Sequence, residues 1–186
     1  MESTSIIYNP NLFVITGGPG VGKTTLIEGL RKKSFLFVEE VARQIIKEQI
    51  SLHGDALPWK NKEKYASLML QKSIDTFIHN KDNPSITFFD RGIPDTLAYI
   101  NLANINTIPE IYHIVEEYRY NQTVFILPYW EEIYQTDSER KQSRKEAEET
   151  FHIMKRTYVE CGYNPIEVPK TNNEKRVEFI LSHIQR

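Results

Sequence analysis

The chain has 186 residues, of which 40% are hydrophobic and 26% are charged, and its formal net charge is −2. This composition is typical of an ordinary globular protein with one sizeable core, and it gives the whole chain no electrostatic bias toward nucleic acid or membranes. The single cysteine, Cys161, excludes an internal disulfide and argues against a zinc site built from cysteines. We find no signal-peptide pattern and no apolar run near the roughly 20 residues of a membrane span, so we expect one cytoplasmic domain over residues 1–186.

Five short apolar runs, rich in Phe, Val and Ile, predict five buried strands. They lie at residues 12–16, 35–38, 86–89, 123–127 and 165–168. Apolar stripes with helical spacing lie between them, and this alternation predicts an α/β protein whose mostly parallel sheet has helices on both faces. Capping-box patterns at residues 143–146 and 171–174 precede two of the helical stripes.

The sequence GGPGVGKTT follows the first predicted strand and precedes the first predicted helix. It fits the phosphate-binding pattern G-x-x-x-x-G-K-[ST] without a mismatch, and its position between strand and helix separates it from an ordinary glycine turn. Glycines let the backbone curl around an anion, while free N–H groups and the helix N-terminus face the phosphates. We therefore predict a site for ATP or GTP formed by Gly17, Gly18, Pro19, Gly20, Val21, Gly22, Lys23, Thr24 and Thr25.

Three side chains of this P-loop have expected roles. Lys23 adds a full positive charge near the β- and γ-phosphates, and Thr24 offers its hydroxyl to Mg²⁺. Thr25 reaches the α-phosphate. The loop predicts nucleotide binding, whereas hydrolysis or transfer does not follow from the loop alone.

The second predicted strand ends in acidic residues, within FLFVEEVAR. If the next helix begins at Glu40, this glutamate only complements the helix dipole. The functional alternative is that Glu40 and Arg43 face an acceptor pocket, with Glu40 as a base or as a hydrogen-bond partner for a sugar hydroxyl. The segment 51–60 would help to form that pocket, where Trp59 either stacks on a substrate ring or packs within the protein.

Asp90 ends the third predicted strand, within ITFFDRG, at the expected carboxyl edge of the sheet. A carboxylate here is expected to hold Mg²⁺ or to act as a general base, although an aspartate before Gly92 also suits a plain turn. The neighbouring Arg91 either holds the transferred phosphate or forms a structural ion pair with Asp90 or Asp95.

The most charge-dense segment, residues 133–149, follows the fourth predicted strand, and the candidate lid covers residues 131–149. Runs of charge are usually solvated helix faces, but this position also suits a lid over a triphosphate. Residues 169–173, before the last helix, are a candidate contact for the edge of the nucleotide base.

The order of these motifs resembles that of P-loop kinases of the nucleoside and nucleotide kinase type. More closely, it resembles the AAA-domain family of predicted ATPases grouped with the bacterial ribosylnicotinamide kinase domain. The resemblance covers nearly the whole chain and is carried by FVITGGPGVGKTTL, VEEVARQII, FFDRGIPDTLAYI, VFILPYWEEIYQTDSERKQS and YVECGYNPIEVP. It implies a three-layer fold with strand order 2-3-1-4-5 and with Asp90 beside the strand that leads into the P-loop.

The resemblance also implies roles for individual residues. Arg140 and Arg144 of the lid would reach the phosphates. Glu40 and Arg43 would form the acceptor-side E-x-x-R motif, and Gln71 on the long helix would recognise a base. The sequence departs from the ribosylnicotinamide kinases at the D-R-G sequence of the third strand, where those enzymes usually carry a pair of aspartates around a threonine. The departure affects the acceptor and not the triphosphate.

Two functions stand at this point. The first is a small-molecule kinase, in which Mg-ATP binds the P-loop, Asp90 or Glu40 positions an acceptor hydroxyl, and arginines stabilise the moving phosphoryl group. The second is a nucleotide-binding regulator or ATPase without a small-molecule acceptor. A Ras-like GTPase is disfavoured because the patterns N-K-x-D and D-x-x-G are not completed. A nucleic-acid-binding protein is disfavoured because no dominant basic or aromatic patch is present. The oligomeric state stays open.

Overall fold

The computed structural model describes residues 5–106, 108–133 and 143–184. None of the helices within these ranges is long and apolar enough to cross a membrane. The elements in chain order are β1 Ile7–Tyr8, β2 Leu12–Gly17, α1 Lys23–Arg31, β3 Leu36–Val38, α2 Val41–Ser51, α3 Lys62–Asn80, β4 Thr87–Asp90, α4 Ile93–Ala103, α5 Ile111–Glu117, β5 Tyr118–Arg119, β6 Thr123–Leu127, a 3-10 helix Glu131–Ile133, α6 Arg144–Glu160, β7 Asn164–Glu167 and α7 Asn173–Ile184.

Five parallel strands form the main sheet in the order β3-β4-β2-β6-β7. Counted by the strands of this sheet alone, the order is 2-3-1-4-5, so the predicted α/β class and the order that the resemblance implied are confirmed. The central strand β2 pairs with β4 in a register that sets Ile15 opposite Asp90. Asp90 therefore ends beside the strand that leads into the P-loop.

A second, two-stranded sheet was not predicted. Its strands β1 and β5 pair in parallel, with Ile7 opposite Tyr118 and Tyr8 opposite Arg119. Each strand has only two residues, which is too short for a periodic hydrophobic signal. The pairing is a tertiary contact that joins the start of the described chain to the segment before β6.

Alternate residues of β2 belong to two different hydrophobic clusters. Leu12 and Val14 pack with apolar residues of α3 and α4. Phe13 and Ile15 pack with those of α1 and α7. Successive side chains of a strand point to opposite faces of its sheet, so helices cover both faces and the strand reads as continuously apolar. This packing fixes the carboxyl edge of the sheet, where the P-loop begins.

One of the two predicted capping boxes is present. Ser143 Oγ accepts a hydrogen bond from the Glu146 N–H at 3.3 Å, and the Glu146 carboxylate accepts one from the Ser143 N–H at 2.7 Å. The box predicted at residues 171–174 is wrong, because α7 begins one residue later than that pattern requires. Asn172 Oδ1 accepts a hydrogen bond from the Lys175 N–H at 3.0 Å, and asparagine is among the best N-cap residues.

Candidate nucleotide and acceptor site

A cleft of about 1200 Å³ opens where the strands of the main sheet end. Its walls include the P-loop after β2, Glu40 after β3 and Arg91 after β4. Trp130 after β6 and residues 171–173 after β7 also line it. Ligands of open α/β sheets bind at this edge, so the cleft is the candidate functional site.

The P-loop backbone has the geometry that its glycines allow. Gly20 and Gly22 have φ angles of 76° and 79°, in the left-handed region that favours glycine. A Cβ added to Gly22 would lie 2.8 Å from Nη1 of Arg176. α1 begins at Lys23 with no acidic residue in its first turn, and no described side chain caps it. The N–H groups of this turn are therefore available to an anion, and the loop fits a triphosphate.

The buried side chain of Lys23 joins the P-loop to two carboxylates. Its ammonium group forms an ion pair with Asp90 and lies 3.7 Å from Glu40 Oε2. The side chains of Lys23, Glu40 and Asp90 are 8%, 11% and 15% exposed. Burial is the main cause that lowers the pKa of Lys23 and raises the pKa of Asp90, because it disfavours the charged form of each group.

Glu40 is the N-cap residue of α2, but its side chain makes no capping hydrogen bond. The carboxylate instead accepts a hydrogen bond from Arg91 Nε at 2.8 Å and lies 3.2 Å from Arg43 Nε. Burial alone would raise the pKa of Glu40, but the charges of Arg91 and Lys23 outweigh burial and hold the pKa below its ordinary value. The side chain therefore bridges three cations and stays ionised at neutral pH.

Arg91 connects Glu40 to a second buried carboxylate. It lies directly after β4 with a φ angle of 73°, and its Nη1 lies 3.4 Å from Asp95 Oδ1. Asp95 is 5% exposed. Its carboxylate also accepts hydrogen bonds from three donors that hold it in place: the Thr16 hydroxyl, the Tyr158 hydroxyl at 2.6 Å and the Gly92 N–H at 2.8 Å. The structural ion pair between Arg91 and Asp95, one of the alternatives from the sequence, is thus present.

These linked groups form one charged cluster at the end of β4, which we call the phosphate network. Its members are Lys23, Glu40, Asp90, Arg91 and Asp95. Burial would lower the pKa of Arg91, but the charges of Glu40 and Asp95 outweigh burial and raise it. The network therefore keeps a fixed guanidinium beside Glu40.

Another wall of the cleft is formed by α2 and the segment before α3, and we call it the acceptor wall. It consists of one tryptophan and four α2 residues at the positions i, i+3, i+4 and i+7 of one helix face: Arg43, Ile46, Lys47, Ile50 and Trp59. The side chain of Arg43 is 67% exposed and Trp59 is 62% exposed. The sequence left two alternatives for Trp59, stacking on a substrate ring or packing within the protein. The structure places Trp59 on the wall of the cleft and not in the core.

Arg176 and Trp130 also line the cleft, and the sequence did not single them out as site residues. Arg176 of α7 is 4% exposed, and its Nη2 donates a hydrogen bond to the Val21 carbonyl at 3.2 Å. Its guanidinium carbon lies 5.7 Å from the ring centre of Trp130. Arg176 has no carboxylate partner in the described part of the chain, and its Nε has no hydrogen-bond partner there. Burial lowers the pKa of Arg176, and no carboxylate among the described residues offsets this buried charge beside the P-loop.

The structure does not bring every predicted site residue to the cleft. Gln71 lies on the exposed side of α3 because Met69 and Ser73 belong to its buried face, and it donates to Asp75 at 3.0 Å. Arg144 is 62% exposed and forms ion pairs outside the cleft, with Glu131 at 3.0 Å and with Glu148 at 3.1 Å. Arg140 and the rest of 134–142 in the predicted lid lie outside the described residues.

The donor set fits a nucleotide-bound Mg²⁺ better than a metal held by the protein alone. Among the described residues, no group of three or more His, Cys, Asp or Glu side chains could hold a metal ion. Mg²⁺ that accompanies a nucleotide needs few protein ligands, because phosphate oxygens and water supply the others. Of the two predicted ligands, Thr24 is exposed in the cleft, whereas Asp90 is ion-paired with Lys23 and does not line the cleft.

Comparisons with known proteins agree with this fold. A sequence profile described as an AAA domain matches residues 12–176. No curated protein matches the chain by sequence. Among solved structures, a NadR protein in complex with NR has a TM-score of 0.73 and 17% identity over 98% of this chain and 51% of that chain, so the chain spans about half of that protein.

Two kinases of about the same length are also similar. Deoxyadenosine kinase from M. mycoides has a TM-score of 0.64 and 16% identity over 94% of this chain and 98% of its own. Thymidylate kinase from Ehrlichia chaffeensis has a TM-score of 0.62 and 13% identity over 94% and 98%. At these identities the likeness shows the fold alone, an α/β fold that this chain shares with these proteins.

Proposed function

This chain belongs to the AAA-domain family, and we propose that it is a small-molecule kinase that transfers the γ-phosphoryl group of Mg-ATP to an acceptor hydroxyl. The observation that carries the proposal is the pair of buried carboxylates, Asp90 and Glu40, within ion-pair distance of the P-loop Lys23. One carboxylate serves the metal that accompanies the nucleotide. The second lines the cleft beside a fixed arginine, where an acceptor hydroxyl can be oriented.

In this proposal the triphosphate lies on the P-loop. Lys23 would exchange its ion pair with Asp90 for the β- and γ-phosphates, and Asp90 and the Thr24 hydroxyl would hold Mg²⁺. Bound Mg²⁺ neutralises charge on the phosphate oxygens. Arg176 adds positive charge beside the same loop, where it donates a hydrogen bond to the Val21 carbonyl.

Glu40 accepts the hydrogen bond of the acceptor hydroxyl. The hydroxyl oxygen forms a bond to the γ-phosphorus, the bond from that phosphorus to the β–γ bridging oxygen breaks, ADP leaves, and the hydroxyl proton passes to Glu40. The transition state of phosphoryl transfer is loose, so positioning and charge stabilisation matter more than a strong base. Because its pKa is lowered, Glu40 is ionised and suited to positioning. Arg91, held between Glu40 and Asp95, stabilises the phosphoryl oxygens.

The lid arginines keep their proposed role as cations for the phosphates. Arg144 would exchange its exposed ion pairs with Glu131 and Glu148 for phosphate contacts, at little cost because exposed pairs contribute little to stability. Arg140 would act from the same segment.

The proposal is tested by thermal shift and by transfer of a radiolabelled γ-phosphate. The protein is heated with Mg-ATP, Mg-GTP and a panel of nucleosides and nucleotides, singly and in pairs. Stabilisation by Mg-ATP plus one acceptor beyond either alone, with label on the acceptor, is the expected result. ATP hydrolysis that ignores every acceptor would instead favour the regulator or ATPase.

A further inference from the structure

We propose that the hydroxyl acceptor also carries a planar ring and a separate anionic group, as in a nucleoside 3′- or 5′-monophosphate, and that Lys47 and Arg43 bind the anion. The inference rests on the proposed function, because it names the substrate class of the same cleft. It is carried by two adjacent cations and an exposed tryptophan on the acceptor wall.

The acceptor wall presents one face of α2 to the cleft. Arg43 and Lys47 lie one turn apart, at the i and i+4 spacing that makes helical side chains neighbours. Ile46 and Ile50 share the face, and all four line the cleft. Like charges at this spacing repel and destabilise an isolated helix. A bound anion between them would turn that repulsion into attraction.

The charge of Arg43 is only partly neutralised by the protein. Within the described residues, Arg43 pairs with Glu40 alone, at 3.2 Å. The same carboxylate also accepts the hydrogen bond of Arg91 at 2.8 Å and lies 3.7 Å from Lys23. One negative charge is therefore shared among three cations.

Lys47 has no ion pair or hydrogen bond within the described ranges, although it is next to a glutamate. That neighbour, Glu48, is held by Lys72 of α3 at 2.6 Å. Lys47 is exposed and lines the cleft. Its positive charge is thus available to a ligand, and a neutral acceptor would leave it without a partner.

Arg176, which also has no carboxylate partner among the described residues, does not serve the acceptor in this proposal. Arg176 donates to the Val21 carbonyl, which places it at the P-loop and beside the proposed triphosphate. Arg43 and Lys47 instead belong to α2 and to the acceptor wall.

We infer the planar ring of the acceptor from the tryptophan of the acceptor wall. Trp59 is 62% exposed and lines the cleft, so its ring is available for stacking. Gln71, expected to read a base edge, faces solvent from α3. The acceptor wall contains no amide or hydroxyl side chain, so recognition there depends on charge and ring contact.

The test compares neutral and anionic acceptors that share one ring. Adenosine, guanosine, cytidine and thymidine and their 3′- and 5′-monophosphates are each incubated with the full chain and Mg-ATP. At least one monophosphate should be converted to a bisphosphate with a kcat/KM about 10-fold or more above its parent nucleoside, as expected for a hydrogen-bonded charge. The advantage should shrink as the salt concentration rises.

Two variants test whether the preference for the monophosphate depends on the acceptor wall. Lys47→Gln should raise the KM for the monophosphate about 10-fold and leave the KM for Mg-ATP and for the parent nucleoside unchanged. Lys62→Gln, which changes an exposed lysine outside the cleft, should leave all three values unchanged. A rise in the KM for Mg-ATP instead would overturn the assignment of Lys47 to the acceptor.

Three further results would overturn the inference: nucleosides accepted as well as their monophosphates, no monophosphate accepted, or a nucleoside diphosphate as the product. The last would mean that the anion itself receives the phosphoryl group. Transfer to neutral nucleosides alone would leave the proposed kinase function standing. If Mg-ATP does not bind in the same titrations, the proposed function fails as well.

Discussion

The phosphate network and the acceptor wall share one cleft but differ in burial and in charge pairing. In the network, Lys23, Glu40 and Asp90 are at most 15% exposed, and each has an oppositely charged neighbour. In the wall, Arg43 is 67% exposed, and Lys47 has no partner among the residues that the structure describes. Buried charges are strongly destabilising unless they are paired, whereas exposed ones are not. Folding therefore fixes the network, while the wall is left for a ligand to complete.

Because of this difference, substitutions in the two regions should have different effects. A substitution in the phosphate network should affect chemistry, stability or both, because its groups hold one another. A substitution in the acceptor wall should affect acceptor binding with little change in stability.

The largest effect is expected from Lys23→Ala in the network. Loss of the ammonium group removes the charge that faces the β- and γ-phosphates, so transfer should fall about 1000-fold or more. Activity assays and calorimetric titration with Mg-ATP measure the loss, and circular dichroism checks the fold. Lys155→Ala is the control, because it removes an ion pair with Glu167 that does not line the cleft. Normal affinity and turnover in Lys23→Ala would contradict the P-loop assignment.

Asp90→Asn should be the next largest effect. The change keeps the shape but removes the negative charge proposed to hold Mg²⁺, so kcat should fall about 100-fold, with a much smaller loss of nucleotide affinity. The dependence of kcat on Mg²⁺ concentration should shift upward. Asp75→Asn makes the same change on the exposed side of α3 and should have no effect. Unchanged turnover would return Asp90 to the role of a turn residue.

Local patterns made much of the network predictable. Acidic residues within two positions of the end of a short apolar run lie at the carboxyl edge of a parallel sheet, which places Asp90 and Glu40 near each other. The P-loop pattern then supplies Lys23. The link through Asp95 was less visible, because it depends on Tyr158 from α6, 63 residues later in the chain.

The other residues of the cleft could not be predicted, because their positions depend on how the helices rotate and pack against the sheet. Arg176 reaches Val21 across 155 residues of sequence, and no motif marks it. Gln71 was placed by resemblance alone, but the buried stripe through Met69 and Ser73 turns it to solvent. In the sequence, Lys47 looks like any exposed lysine of an amphipathic surface helix. Only the folded structure shows that it lines the cleft.

Asp95→Asn tests whether the network is structural as well as chemical. The carboxylate accepts bonds from the Gly92 N–H and from Arg91, which an amide nitrogen cannot replace. The free energy of unfolding should fall by about 2 kcal/mol, as for loss of a charged hydrogen-bond acceptor in a buried site. Urea denaturation measures this change. Asp55→Asn, which removes an exposed pair with Lys64, should leave the free energy of unfolding essentially unchanged. An equal loss in both variants would contradict the importance of burial at Asp95.

The smallest effect, and the sharpest contrast with the network, is expected from Trp59. Trp59→Ala should leave the free energy of unfolding within about 0.5 kcal/mol, because the side chain is largely exposed. The KM for the acceptor should rise about 5-fold through loss of ring contact, with kcat and the KM for Mg-ATP unchanged. Leu52→Ala is the matched control, because Leu52 is 74% exposed and does not line the cleft.

The chain's two tryptophans give this contrast a direct readout, since Trp59 belongs to the acceptor wall and Trp130 lies beside Arg176 at the P-loop. With Trp130→Phe, emission from Trp59 should change when acceptor binds and not when Mg-ATP binds alone. With Trp59→Phe, emission from Trp130 should show the reverse dependence. If both tryptophans respond equally to either ligand, the cleft closes as one unit, and the division into a fixed network and a ligand-completed wall is wrong.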